Sequence, residues 1–193
     1  MTGWRAVVPL NLGRDCKTRL AGRLSRAARE QLVDAMARHV VAQLAATRGI
    51  ARILLLAPLR PDLAGVDWVE DKGRGLNAEL AQILGGGPVL VIHADLPLLA
   101  PADVGAMVRA ATASGSAIAP DRTATGTNAL ALAAASGFAP CFGEGSFDRH
   151  RALLPDAAIV TTPGLESDID TPGDLDLLPG LLSGGATSIA DPI

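Results

Sequence analysis

The chain has 193 residues, with 17 Lys and Arg against 20 Asp and Glu and a formal net charge of −3. Apolar residues make up 49%, yet only 3% are aromatic and Tyr is absent, so the core must be built from Leu, Val, Ile and Ala. This balance excludes a general nucleic-acid-binding surface, which needs a basic excess, and the length suits one α/β domain with a sizeable core.

Residues 6–10 form the first predicted strand. The stretch PLNLGRDCKTRLAGRLS (9–25) follows, with Arg14, Lys17, Arg19 and Arg23 near Gly13 in a loop or first turn. Cations beside flexible backbone N–H groups suit a polyphosphate. A solvated basic loop has the same composition, and the P-loop pattern G-x-x-x-x-G-K-[ST] is absent. Ser25 is a predicted N-cap, and Ala28, Leu32, Val33, Met36, Val40, Val41 and Leu44 fall on one stripe of the helix it opens. Strands are predicted at 53–57 and 67–70. In EDKGRGLNAEL (70–80), Gly73 and Gly75 permit a tight turn before a helix at 78–84, with Asn77 at its opening. Glycine lets a backbone approach a base or ribose closely, although an ordinary Gly-rich turn reads the same way.

The fourth predicted strand, 89–94, lies in VLVIHADLPLL (89–99). Asp95 sits at its carboxyl end and Pro97 prevents the pairing from continuing. A carboxylate there suits Mg²⁺, a hard cation that prefers oxygen and shares its shell with substrate phosphates; a turn or N-cap Asp is the alternative. His93 reads as a packed strand residue rather than a general base. A helix is predicted at 101–113, opened by Pro-Ala-Asp, then strands at 117–119 and 128–133. Asp121, Arg122, Gly126, Thr127 and Asn128 form a polar cluster around the connection between these two strands. In CFGEGSFDRHRALL (141–154), Gly143 and Gly145 lead to Ser146, a predicted cap for a helix running from Phe147, with 149–154 its clearest part. Free N–H groups at such a start bind carboxylate or phosphate, unless the helix is simply capped. A seventh strand is placed at 157–160. In ESDIDTPGDLDLL (166–178), Asp168 and Asp170 point opposite ways if extended. A helix at 173–178 follows Thr171-Pro172, and Asp170 either caps it or completes a metal site with Asp95.

Alternating apolar strands and helices predict a mostly parallel sheet covered on both faces, a single-domain three-layer α/β/α protein. Ligands in such sheets bind outside the carboxyl ends of the strands, where the residues above fall. Residues 1–180 are expected to form the domain and 181–193 a tail. Cys16 and Cys141 fit no metal spacing and read as free thiols. No apolar run approaches the ~20 residues that cross a bilayer, and the N-terminal apolar part is too short for a signal peptide. A soluble, cytoplasmic protein without a membrane partner is expected.

Taken in order over about residues 5–178, the segments VVPLNLGRDCKTRLAGRLS, GLNAELAQ, VIHADLPLL, APDRTATGTNALAL, FGEGSFDRHR and DIDTPGDL resemble the 2-phospho-L-lactate guanylyltransferase family. That family lies within the molybdopterin-guanylyltransferase-like nucleotidyltransferases, and GTNAL followed by FGxGSFxRH is its most specific part. The resemblance implies a Rossmann-like, nucleotide-diphospho-sugar-transferase-like fold. It implies transfer of GMP from GTP to a small phosphorylated acid (2-phospholactate, phosphoenolpyruvate or 3-phosphoglycerate), release of pyrophosphate, and a place in coenzyme F-420 biosynthesis.

Carried over by motif, the resemblance puts Leu10 and Asn11 beside the nucleotide. Lys17 and Arg19 would hold its phosphates and stabilise the leaving pyrophosphate. Gly75 and Asn77 would lie near guanine or ribose. Asp95 would bind Mg²⁺ with Asp170 or Asp168, and Asp170 is favoured because the residue before Thr-Pro is the usual ligand in related enzymes. Thr127, Asn128, Gly143 and Ser146 would hold the acceptor, largely through backbone N–H groups. The family usually carries Lys where this chain has Asn11, which implies that a phosphate goes without that lysine or is held by Arg14 instead. A nucleotidyltransferase with another base or acceptor, of the molybdenum-cofactor type, and a non-catalytic nucleotide-binding protein are the competing readings. A homodimer through the exposed part of the sheet is compatible with the sequence.

Overall fold

The structure is a computed structural model that describes residues 3–11 and 16–176. The elements in chain order are β1 (Trp4–Pro9), a 3-10 turn (Thr18–Leu20), α1 (Arg26–Ala46), β2 (Ile50–Ala57), β3 (Asp67–Glu70), α2 (Leu76–Ile83) and β4 (Val89–Ile92). Then come α3 (Pro101–Ser114), β5 (Ser116–Pro120), β6 (Thr127–Leu132), α4 (Ser146–Leu153), β7 (Ala158–Ile159) and α5 (Pro163–Glu166). Residues 172–176 are helical, which matches the start of the helix predicted at 173–178. The rest of that helix, the expected tail 181–193, Gly13 and Arg14 lie outside the described residues.

The strands form one seven-stranded sheet, ordered β3-β2-β1-β4-β6-β5-β7. All neighbours run parallel except β6, which is antiparallel to both β4 and β5. The cause is the short link between β5 and β6, residues 121–126. It is too short for a crossover, so it closes a hairpin. The Asp121 carboxylate folds that link by accepting from the backbone N–H groups of Thr123 (3.1 Å), Thr125 (2.9 Å) and Gly126 (2.8 Å). A Cβ at Gly126 would meet Asp121 Oδ2 at 2.7 Å, so a side chain there would push that carboxylate out of its place in the turn.

The strand side chains alternate between two cores. Ala6, Val8, Ile53, Leu55, Leu90 and Ile92 pack under α1 and α3, with Val33, Met36, Val40 and Met107. Val7, Leu54, Leu56, Val89, Val91 and Leu130 pack on the opposite face, with Leu80 of α2 and Phe147 of α4. Both faces of the central strands are therefore apolar, which is the three-layer arrangement expected from the sequence.

Ser25 caps α1 as predicted, its hydroxyl accepting from Ala28 N–H at 3.2 Å. The buried stripe of α1 includes Val33, Met36, Val40, Val41 and Leu44. It also buries Arg29, whose guanidinium donates to the carbonyls of Cys16 (3.2 Å) and Leu24 (3.1 Å) and so ties the loop after β1 to the helix. Strand β4 stops at Ile92, two residues before the predicted end at 94. His93 still donates its N–H to Asn128 O at 2.9 Å, so the chain stays beside β6. The short α5 is not among the helices expected from the sequence. Thr162 caps it, with Pro163 at its first turn. Among the described residues no helix is long and apolar enough to cross a membrane.

Candidate active site

The chain leaves β1 towards β2 and β3, then returns to the other side of β1 as β4. The carboxyl ends of β1 and β4 thus diverge at a topological switch point, the place where open α/β sheets bind ligands. A cleft of about 750 Å³ lies there. Of the residues singled out from the sequence, Leu10, Asn11, Lys17, Arg19, Asp95 and Asp170 line it together.

Lys17 is the centre of this group. It precedes the 3-10 turn in a left-handed conformation, φ 48° and ψ 45°, which non-glycine residues seldom adopt. Its ammonium donates to Asp95 Oδ2 and, at 2.6 Å, to Asp170 Oδ1. Burial works against a charged lysine, but the two carboxylates prevail and raise its pKa. Burial likewise favours a neutral Asp95, but Lys17, helped by His93, holds its carboxyl below the usual range. One ammonium thus faces two carboxylates, which leaves the cluster net negative in the free protein.

Asp170 reaches Asp95 because the segment before it runs along the end of β4. Ile169 N–H donates to Asp95 O at 3.3 Å. The capping role open to Asp170 in the sequence is taken by Asp174 instead. The Asp174 carboxylate accepts from Asp170 N–H (3.0 Å), Thr171 N–H (2.7 Å) and the Thr171 hydroxyl (2.9 Å), and pairs with Arg122 (3.0 Å). That leaves the Asp170 carboxylate facing the cleft. Asp168 takes a different partner, accepting from Asn128 Nδ2 at 3.1 Å. Burial raises its pKa; the Asn128 bond opposes the rise, and the nearby Asp95 and Asp170 add to it.

Gly73 and His93 line the cleft too, whereas Gly75, Asn77, Thr127, Asn128, Gly143 and Ser146 stand outside the lining, and the side chains of Asn77, Thr127 and Asn128 serve as struts. Asn77 brackets the Phe142 peptide, accepting from Phe142 N–H at 2.7 Å and donating to Phe142 O at 3.0 Å. Asn128 also donates to Leu165 O at 2.9 Å, which pins α5 against β6. Thr127 is buried and bonded to His150 at 2.9 Å. Ser146 is not the cap of α4 but its first residue. Gly145 holds the cap position with φ 68°, a left-handed geometry that suits glycine, and makes no side-chain cap bond. Gly143, at φ 118°, starts the same turn. The starts of α2 and α4 are thereby held together through Asn77 and Phe142.

Three supporting residues, Arg29 among them, are not identified by sequence reasoning. Glu79 accepts from Lys72 N–H (3.0 Å) and Arg74 N–H (3.2 Å) and pairs with the Arg74 guanidinium (2.7 Å). The Arg74 bond leads in lowering its pKa to about 2. One carboxylate thus shapes the whole glycine turn before α2. An acid in the first turn of a helix is its available signal. Glu79→Ala should speed amide exchange at Lys72 and Arg74 by about tenfold, the equivalent of one hydrogen bond, as read by hydrogen exchange with mass spectrometry. Unchanged protection would show that the glycine turn is held by other contacts.

His150 is fully buried. Cys141 N–H donates to its Nε2 at 3.3 Å, so its proton sits on Nδ1 and is donated to Thr127. Burial, with Arg149 and His93 nearby, lowers its pKa to about 4. The unfolded chain therefore takes up a proton near pH 6.5 that the folded chain refuses. Stability should fall as pH drops from about 6.5 to about 4, by on the order of 3 kcal/mol in full. Urea unfolding at pH 7 and pH 4.5 should show this loss in the protein and a smaller one in His150→Gln. An equal loss in both would assign the acid sensitivity elsewhere.

Among the described residues no three His, Cys, Asp or Glu side chains are gathered to hold a metal. The donor set nonetheless suits Mg²⁺, which takes one or two carboxylates and completes its shell with water and phosphates. Asp95 Oδ1 is buried and finds no hydrogen-bond partner in the protein, an oxygen placed for a ligand.

The family model described as guanylyl transferase CofC like matches residues 4–178. The chain is 36% identical to the phosphoenolpyruvate guanylyltransferase of Sphaerobacter thermophilus, covering 95% of this chain and 96% of that one. It is also 36% identical to the enzyme of the same name from Conexibacter woesei, over 94% and 91% of the two chains. Among solved structures, CMP:2-keto-3-deoxy-manno-octonic acid synthetase complexed with CTP superposes with a TM-score of 0.59 at 14% identity, over 94% of this chain and 99% of that one. A 2-C-methyl-D-erythritol 4-phosphate cytidylyltransferase from Thermus thermophilus gives 0.57 at 18% identity, over 95% and 100%. These likenesses show the nucleotide-diphospho-sugar transferase fold. With the sequence relatives and the matched span, they lead to one assignment: the chain belongs to the CofC-like guanylyl transferase family.

Proposed function

We propose that the protein transfers GMP from GTP to a small phosphorylated acid, with release of pyrophosphate, as a cytoplasmic step in coenzyme F-420 biosynthesis. Phosphoenolpyruvate is the first acceptor to test, because the relatives at 36% identity carry that substrate in their names. The observation that carries the reading is Lys17, held with Asp95 and Asp170 at the switch-point cleft.

A phosphate oxygen of the acceptor attacks the α-phosphorus of GTP. The bond from that phosphorus to the bridging oxygen breaks, and the electron pair leaves with pyrophosphate. The acceptor is already anionic, so no general base is needed, and the protein's work is positioning and charge neutralisation. Lys17 and Arg19 hold the phosphates and offset charge on the leaving group. Asp95 and Asp170 are the residues that would hold Mg²⁺, which when bound screens the two anions from each other. Leu10 and Asn11 border the nucleotide at the end of β1, and Gly75 opens the helix beside it. Asn77, Thr127 and Asn128 act through the backbones they fix. Gly143 presents its N–H to the acceptor's carboxylate, and Ser146, whose N–H donates to Gly143 O at 3.0 Å, fixes that turn.

The test is pyrophosphate release with GTP and Mg²⁺, run separately with 2-phospholactate, phosphoenolpyruvate and 3-phosphoglycerate, with ATP and CTP as controls. Release with GTP and one acid, and not with ATP or CTP, is expected. No release with any acid, from protein that binds GTP, would overturn the reading.

A further inference from the structure

We propose that His93 is a specificity-determining residue that hydrogen-bonds the phosphorylated acceptor through its imidazole; this rests on the guanylyltransferase reading above. Two buried side-chain polar atoms among the described residues find no hydrogen-bond partner, His93 Nε2 and Asp95 Oδ1. Both belong to residues at the end of β4 that line the same cleft. A native fold seldom keeps a buried polar group unpaired, and at a ligand cleft the missing partner is supplied by the ligand. The Asp95 oxygen is accounted for by the cation. The His93 nitrogen has no part in the transfer step itself.

Its position points to the acceptor rather than the nucleotide. Side chains alternate along β4, and Val89 and Val91 pack on the α2 and α4 side of the sheet. The same alternation sends His93 to that side, where its ring lies 5.6 Å from that of Phe142 at an interplanar angle of 39°. Phe142 is fixed through its backbone by Asn77 and leads directly into Gly143–Ser146. His93 therefore stands between Asp95, where the phosphorus is attacked, and the turn assigned to the acceptor. The opposite flank of the cleft, with Pro58, Asp71 and Gly73 beyond β2 and β3, is left for the nucleoside.

The chemistry matches an anionic partner. An imidazole carries an N–H donor in either protonation state, and the phosphate and carboxylate of the acceptor offer only acceptor oxygens. A half-turn about the Cβ–Cγ bond exchanges Nε2 with Cε1 inside the same ring outline. Either ring edge can thus carry that nitrogen with the Phe142 contact kept.

The experiment compares the full chain with His93→Leu and His93→Gln. Leu fills similar space without a donor, whereas the Gln side-chain amide nitrogen falls near the imidazole Nε2. Pyrophosphate release would give separate KM values for phosphoenolpyruvate and GTP, and calorimetric titration of phosphoenolpyruvate into protein with Mg²⁺ and a non-hydrolysable GTP analogue would give binding without turnover. His93→Leu should raise the KM and Kd of phosphoenolpyruvate at least about tenfold, the loss of one hydrogen bond, with the GTP KM within about twofold. His93→Gln should recover most of it. An unchanged acceptor KM in His93→Leu, or equal rises for acceptor and GTP, would overturn the proposal, as would failure of Gln to improve on Leu. Should His93→Leu not fold, His93→Met is read in its place. If the unmodified protein binds the acid but releases no pyrophosphate, the transfer reading falls while the binding comparison still decides His93. If it binds none of the three acids, both fall.

Discussion

Asp95→Asn should lower kcat about a thousandfold while the protein stays folded. The change keeps the shape of the side chain and removes the negative charge that holds both Lys17 and the cation in the proposed reaction. The backbone around Asp95, just past β4, is tied on both sides. His93 N–H bonds to Asn128 O (2.9 Å), and Asp95 O accepts from Ile169 N–H (3.3 Å). An asparagine there remains in place but binds a hard divalent cation poorly. The measurement is pyrophosphate release at saturating GTP and acceptor over a range of Mg²⁺, with a thermal melt as the fold control. Near-normal turnover at limiting Mg²⁺ would remove Asp95 from the metal site.

Lys17→Met should have a two-sided effect. Turnover is expected to fall by about a hundredfold or more, since the cation that offsets charge on the leaving pyrophosphate is gone. Metal binding to the free protein should move the other way. In the free protein the Lys17 ammonium contacts both Asp95 and Asp170 and offsets part of their negative charge. A divalent ion must compete with it for the same two carboxylates. Removing the ammonium leaves two carboxylates facing each other, so affinity for Mn²⁺ without nucleotide, read by electron paramagnetic resonance, should rise. The rise should vanish in the double variant with Asp170→Asn and persist with Asp168→Asn. A Lys17→Met protein that binds Mn²⁺ no better than the parent would show that these two carboxylates are not the metal pair.

Much of the fold is legible in the sequence because local patterns carry it. The run at 53–57 and the matched 67–70 are parts of β2 and β3, and Ser25 is the cap that its position predicts. Each rests on period-two alternation, apolar runs or a short-range hydrogen bond, and these depend only on neighbouring residues. The placement of Asp95 just past β4 follows from the same logic, although the pairing ceases at His93, before Pro97 is reached. The strand there is two residues shorter than its apolar run predicts, since alternation marks where a strand begins more firmly than where its hydrogen bonds cease.

The roles of Asn77, Thr127 and Asn128 are not legible in this way. The resemblance places each near a ligand, and each spends its side chain on a partner far along the chain: Phe142 for Asn77, His150 for Thr127, Leu165 and Asp168 for Asn128. A polar side chain after a strand reads the same whether it meets substrate or a distant carbonyl. Glu79 and Arg29 escape sequence reasoning for the same reason, because a buried charge is recognisable only through the groups that surround it.

By itself, then, the sequence determined that alternating strands and helices build a two-faced sheet, and that acidic and glycine residues stand at its carboxyl edge. Only the tertiary structure decided that Lys17 meets Asp95, 78 residues away, and Asp170, 153 residues away, in one cluster. The reason is physical. Periodicity is set by backbone geometry within a few residues, whereas a three-charge cluster requires the strand order that puts β1 beside β4 and the packing that lays residues 168–170 across their ends.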